Sequence, residues 1–139
     1  MWNTEETSLM DRVKKQYNDD EILYWQKKLL INKLRQASRF WKAKNLVLKA
    51  AKEKVKVGKF KNGKTKFKTK VKCNTCKKLF EPNQIEVNHI IPVVDIEKGF
   101  ENWQTYIDRL FCKTTNLECL CHKCHSIKTV KQNKLRKNL

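Results

Sequence analysis

Acidic side chains are scarce in this chain: 14 Asp and Glu stand against 32 Lys and Arg, a formal charge of +18. Between Lys54 and Lys72 there is no acid at all, only nine lysines spaced by small and apolar residues. The counter-ion such a charge calls for is a polyphosphate backbone, because each neutralised phosphate releases condensed counterions. A merely solvated lysine surface is the alternative, and the uneven placement of the charge speaks against it. Long apolar runs are also missing. None approaches the roughly 20 residues that span a bilayer, and the N-terminal segment lacks the apolar core of a signal peptide. A soluble, cytoplasmic protein with no membrane partner is therefore expected. The 40 per cent hydrophobic content still suffices for a modest core, enough for one compact domain plus an extension.

Cysteine is the residue present in excess. Without an export signal, the spacing Cys73-Asn74-Thr75-Cys76 and Cys121-His122-Lys123-Cys124 reads as two pairs of thiolate ligands rather than as disulfides. Two such knuckles complete the tetrahedral four-sulfur shell of a structural zinc ion and close the chain between them into a loop. Binding of the metal then contributes directly to folding. Cys112 and Cys119 belong to no matched pair and are expected as buried apolar filler.

Three regions follow from the patterning. Residues 1–53 form a basic helical extension: a frayed start to about residue 18, then a helical stretch from the capping residues Asp19-Asp20 to about Lys54. Its stripe of Leu23, Leu30, Leu34, Ala37, Trp41, Leu48 and Ala51 is core or partner-facing. The stretch is either two helices meeting near Ser38 or one bent rod. Its basic face, with Lys27, Lys33, Arg35 and Arg39, either lies on DNA or is solvated. Residues 54–72 alternate lysine with Val55, Val57, Phe67 and Val71 around Asn62-Gly63. This predicts a hairpin with a type I′ turn, lysine on one face and apolar residues on the other. A flexible basic linker that orders on DNA is the alternative. Either form binds phosphate, through Lys59, Lys61, Lys64, Lys66, Lys68 and Lys70. Residues 73–139 carry the knuckles, a strand over Ile85–Ile91 stopped by Pro92, a packing helix within Gly99–Phe111, and a helix from Cys124 to about Lys134 with His125 in its first turn. The fold class is α+β.

In order along this last region stand Cys73-x-x-Cys76, Asn88-His89-Ile90-Ile91-Pro92, Asn116-Leu117, and Cys121-x-x-Cys124-His125-x-x-Lys128-Thr129. This arrangement resembles the HNH endonucleases, in particular the four-cysteine, zinc-stapled branch found among small bacteriophage homing and packaging-associated enzymes. The resemblance covers residues 71 to 131 and extends weakly upstream. It implies a ββα-metal (His-Me finger) module. It implies His89 as the general base toward the attacking water, a role suited to an imidazole whose ordinary pKa is about 6.5. By the same resemblance Asn88 and His125 hold one catalytic magnesium or manganese ion, Asn116 pins the loop that orients His89, and Lys128 contacts phosphate or is solvated. His122 is surface, or at most a substitute zinc ligand.

The implied activity is metal-dependent nicking or cleavage of duplex DNA, leaving 5′ phosphate and 3′ hydroxyl. Cutting both strands needs a homodimer or two sequential events. A terminase partner would accompany a packaging role. Two other classes fit the charge: a non-catalytic zinc-dependent DNA-binding protein, and an RNA or single-strand binder using Trp41, Phe60 or Phe67 for stacking. One departure from the family pattern is Asn88, where most members carry aspartate. An amide oxygen binds a hard cation more weakly than a carboxylate does, which shifts the metal requirement upward or toward manganese. Asn88→Asp is accordingly expected to lower the magnesium concentration needed for half-maximal cleavage, and an unchanged requirement would remove position 88 from the ligand set.

Overall fold

The computed structural model describes residues 9–12 and 16–137, so the frayed start expected over residues 1 to 18 falls largely outside the described residues. The protein is mixed α+β with two small sheets. Its elements are α1 (Asp19–Ser38), α2 (Lys42–Ala50), β1 (Lys52–Lys59), β2 (Thr65–Lys72), β3 (Leu79–Phe80), β4 (Ile85–His89), α3 (Trp103–Leu110), β5 (Leu117–Cys121) and α4 (His122–Lys137). Among the described residues, no helix is long and apolar enough to cross a membrane.

The chain divides into two compact units at Ala37/Ser38. In the first unit, α1 is capped by Asn18 rather than by Asp19 or Asp20. The Asn18 side-chain oxygen accepts from the Glu21 amide at 2.8 Å. Asp19, Asp20 and Glu21 instead occupy the first turn, where they face the positive end of the helix dipole. Leu23 and Leu30 are 58 % and 39 % exposed, so the early part of the apolar stripe is not core within this unit.

The second unit starts where the helical stretch breaks. Trp41 is extended (φ −63°, ψ 120°), which makes two helices of the region rather than one bent rod. The later part of the stripe turns inward: Trp41, Val47, Leu48 and Ala51 pack against the buried cluster. That cluster is small and rich in sulfur, with Val71, Cys73, Ile85, Cys119, Leu120 and Cys121 at its centre and Ala43, Cys112 and Leu117 beside it. Cys112 and Cys119 are buried as expected. Helix α2 belongs to this unit because its apolar side chains, together with the Trp41 indole that donates to the Cys112 carbonyl at 2.8 Å, cover one face of the β4–β5 pair.

β1 and β2 form the expected antiparallel ribbon, with β3 adding to the base of β2. The turn differs from the expectation. Gly63 alone takes positive φ (86°), the Gly63 amide donates to the Phe60 carbonyl, and the Phe60 amide donates to Lys64. This is a longer loop of the type I plus left-handed glycine kind, not a type I′ turn. The expected separation into a lysine face and an apolar face is also overturned. Residues paired across a ladder share a face, and Lys54 pairs with Thr69, Val55 with Lys68, and Lys56 with Phe67. Lysine therefore lies on both faces, one strand supplying each.

β4 and β5 form the second sheet, antiparallel, with Asn88 opposite Glu118 and His89 opposite Leu117. β4 stops at His89, two residues before the expected end, because the next amides are captured by Asn116: Ile90 N–H donates to its carbonyl (2.8 Å) and Ile91 N–H to its side-chain oxygen (2.9 Å). The Trp41 anchor predicts a contrast in urea unfolding of the metal-loaded protein. Trp41→Phe keeps the ring contact with Phe111 but orphans a carbonyl, at a cost of about 1 kcal/mol. Phe40→Ala, at a side chain 85 % exposed, should change stability by less than about 0.5 kcal/mol.

Candidate functional site

The sulfur ligands come from four places in the fold. Cys73 follows β2 and Cys76 lies in the turn after it, while Cys121 ends β5 and Cys124 sits in the first turn of α4. All four sulfurs lie within 4.8 Å of one another, and among the described residues this is the one group of three or more His, Cys, Asp or Glu ligands drawn so close. A tetrahedral shell with metal–sulfur bonds of about 2.3 Å needs sulfur–sulfur separations near 3.8 Å, so the cluster could hold a metal ion with small adjustments. Backbone amides already point at the sulfurs: Cys121 N–H donates to Cys73 Sγ (3.4 Å) and Cys124 N–H to Cys121 Sγ (3.5 Å). The second of these belongs to the N-terminus of α4, whose dipole favours negative charge.

These contacts divide the thiols. Burial opposes ionisation of Cys73, but hydrogen bonds from the Cys121, Cys76 and Thr75 amides and from the Cys76 side chain outweigh it and lower the pKa to about 6. Cys124 moves the other way. Its hydrogen bond to Cys121, with burial and the neighbouring Cys73 and Cys76, pushes it up to about 12. The contacts thus favour the thiolate at Cys73 and the thiol at Cys124, and a metal ion bound through Cys124 would displace its proton.

The two-stranded sheet has distinct faces. Val87 and His89 project to the side covered by α2, while Glu86 and Asn88 project toward α4. The His89 ring lies against the Leu110 carbonyl at the end of α3, with Nε2 2.9 Å from that oxygen. A carbonyl only accepts, so Nε2 carries the proton and Nδ1 the lone pair in the neutral ring. On the opposite face, His125 Nδ1 lies 2.6 Å from Glu86 Oε2, which leaves Nε2 as the lone-pair nitrogen when the ring is neutral. His122 is largely exposed, 4.0 Å from the same carboxylate and 3.3 Å from the Asn83 carbonyl, outside the sulfur cluster.

Asn116 clamps the loop after His89 from both sides, accepting from Ile91 N–H and donating its side-chain amide to the Ile91 carbonyl at 3.4 Å. Lys128 is part-buried and bonded within the protein. Its ammonium donates to the carbonyls of His89 (3.0 Å) and Ile90 (3.2 Å) and to Glu118 (3.0 Å). Asn88 also meets Glu118. Burial would raise the pKa of this carboxyl, but hydrogen bonds from Lys128, Asn74 and Asn88 outweigh it and hold the group below its ordinary value. A carboxylate at position 88 would face Glu118 directly across the ladder, and like charges so placed repel. The amide at 88 is the side chain that Glu118 accommodates.

The expected site residues thus divide into the four clustered cysteines; Asn88, His125 and Lys128 on the α4 side of the two-stranded sheet; His89 at the end of β4, its ring turned to the other side, with Asn116 clamping the loop that follows; and the ribbon lysines Lys59, Lys61, Lys64, Lys66, Lys68 and Lys70, which lie elsewhere in the fold. Glu86 and Glu118 were not anticipated. The strand period of two, which places residues 86 and 88 on one face, was the available signal for Glu86. Searches against protein-family models, curated proteins and solved structures returned no match to this chain.

Removing ligands one at a time tests the cluster. Cys73→Ser and Cys121→Ser should each purify with much less bound metal than wild type, whereas Cys112→Ser should retain it. Elemental analysis showing equal loss in all three would refute the ligand set.

Proposed function

We propose that this protein is a metal-dependent DNA endonuclease of the HNH kind, with a structural zinc ion in the four-sulfur cluster and a phosphodiester-cleaving site at the junction of β4, β5 and α4. The single observation that carries the reading is the constraint on His89. The Leu110 carbonyl holds its tautomer, and Asn116 and Lys128 together fix the backbone that follows it. A structural histidine does not require its main chain to be held by an asparagine side chain and a lysine at once. A general base does, because proton transfer falls steeply with misplacement.

In this reading His89 removes a proton from water through Nδ1 as the water oxygen attacks phosphorus. The bond from phosphorus to the 3′ oxygen breaks, and that oxygen takes up a proton, leaving 5′ phosphate and 3′ hydroxyl ends. Asn88 and His125 would hold a magnesium or manganese ion, and Glu86 orients the His125 ring so that Nε2 is the coordinating atom. The ion would supply charge stabilisation at the phosphate and the leaving oxygen. Glu118 keeps Lys128 in place and, through Asn88, orients the amide at that position. With one such centre per chain, each event cuts one strand, and a double-strand break requires a second copy or a second encounter. The strongly basic charge supports duplex DNA as substrate.

Supercoiled plasmid incubated with zinc-loaded protein and magnesium or manganese should be nicked, and His89→Ala should abolish nicking without loss of zinc or of DNA binding. Tight binding with no metal-stimulated nicking, on plasmids that together cover many sequences, would refute the endonuclease reading in favour of a zinc-stapled DNA-binding protein.

A further inference from the structure

The ribbon formed by β1 and β2 is solvated on both faces along nearly its whole length. An antiparallel sheet ordinarily packs one face on a core, so the exposure of both calls for an account. The distribution of lysine provides one. Lys52, Lys54 and Lys56 lie on one face of β1, each opposite a neutral residue of β2 (Val71, Thr69 and Phe67). The next lysine, Lys59, follows after three residues instead of two, which in a regular strand would place it on the other face. The ladder slips between Lys56 and Gly58, leaving Val57 as an extra residue, and Lys59 then pairs with Thr65 on the same face as Lys52, Lys54 and Lys56. On β2, Lys66, Lys68, Lys70 and Lys72 keep a spacing of two and line the opposite face. No lysine stands directly across from another. The second column carries some acid at its base, where Lys68 pairs with Glu81 at 2.8 Å and Lys70 faces Glu53.

We infer that the ribbon enters the major groove of duplex DNA with each face turned toward one wall, so that the β1 column addresses one phosphate backbone and the β2 column the other. A step of two residues along a strand is about 6.8 Å, twice the axial spacing of about 3.4 Å between phosphates of one DNA strand. A two-stranded ribbon is admitted by a major groove about 12 Å wide and not by a minor groove about 6 Å wide. The deep, narrow major groove of A-form RNA excludes the ribbon, so the partner is B-form DNA. Of the eight lysines, Lys52, Lys54, Lys56 and Lys72 were not among the expected DNA contacts. The inference rests on the proposed function only in taking duplex DNA as the partner.

Binding is measured by fluorescence anisotropy on a short duplex of arbitrary sequence, as a function of salt, with zinc-loaded His89→Ala protein and no added magnesium. Two triple variants are compared in that background: Lys54→Gln, Lys56→Gln, Lys59→Gln, and Lys66→Gln, Lys70→Gln, Lys72→Gln. Each should weaken binding and flatten the log–log salt slope by about 0.9 for every phosphate no longer neutralised, and combining the two sets should add their effects. Arginine in place of glutamine at the same positions should restore the slope, which separates charge from folding. A full effect from one set with none from the other would overturn the two-walled geometry in favour of a ribbon lying flat. No effect from either set would remove the ribbon from the DNA while leaving the nuclease reading untouched. Equal affinity for an RNA duplex would also overturn the inference. Absence of metal-stimulated nicking by the protein with His89 intact, with both column effects present, would count against the nuclease and not against the ribbon.

Discussion

Four sulfur atoms gathered within 4.8 Å tie the end of the lysine ribbon to the end of β5 and the start of α4. One pair terminates the lysine ribbon and the other joins β5 to α4, so a single point in space sets where the ribbon leaves the module and where the last helix begins. The surrounding apolar cluster is small, and Cys73, Cys119 and Cys121 are themselves among its buried residues. A core of that size supplies little free energy beyond the entropy of ordering the chain. A metal ion, which this cluster could hold, would add free energy to the folded state, so the geometry of the four sulfurs and the fold cannot be considered apart.

Helix α4 carries that geometry toward the polar group. Starting beside the sulfurs, it places His125 against Glu86 and Lys128 under the carbonyls at the end of β4. Near its far end Arg136 donates to the carbonyls of Val94 and Asp95, at 2.7 and 3.3 Å. One rigid element thus touches the strand end and the loop after it at separate points. A small rotation of the helix about the sulfur cluster would be felt at His89 without any residue near His89 changing. On the other side of the sheet, α2 and the Trp41 indole hold the opposing face, so the strand end is gripped between two helices.

Much of this was legible in the sequence because it is written in local spacing. The two Cys-x-x-Cys pairs, the alternation of the ribbon and the burial of Cys112 follow from patterns a few residues long. What escaped depends on pairing between distant residues. That Asn18 and not Asp19 caps α1 is a matter of one residue of backbone geometry. The lysine faces were misjudged because a single strand shows only its own alternation, whereas the face of each lysine depends on the partner strand and on a slip at Val57. Glu118 was silent because its significance lies in Asn88 across the ladder and Lys128 on the helix, brought together only by folding. The assignment of α2 to the second unit likewise rests on what Trp41 and Val47 touch, not on the continuity of the helical stripe.

The extra residue at Val57 also constrains how such a ribbon can change length over generations. Sidedness in a strand has parity: gaining or losing two residues leaves every later side chain where it was, and gaining or losing one exchanges the faces. By absorbing an odd residue in a bulge, β1 preserves its sidedness through a stretch whose numbering alone would have reversed it. Insertions and deletions that arrive singly are therefore tolerable in this ribbon where a bulge can form or dissolve. The exposed part of the two-strand segment, beyond Val71 at its base, is where the protein has the most room to do so.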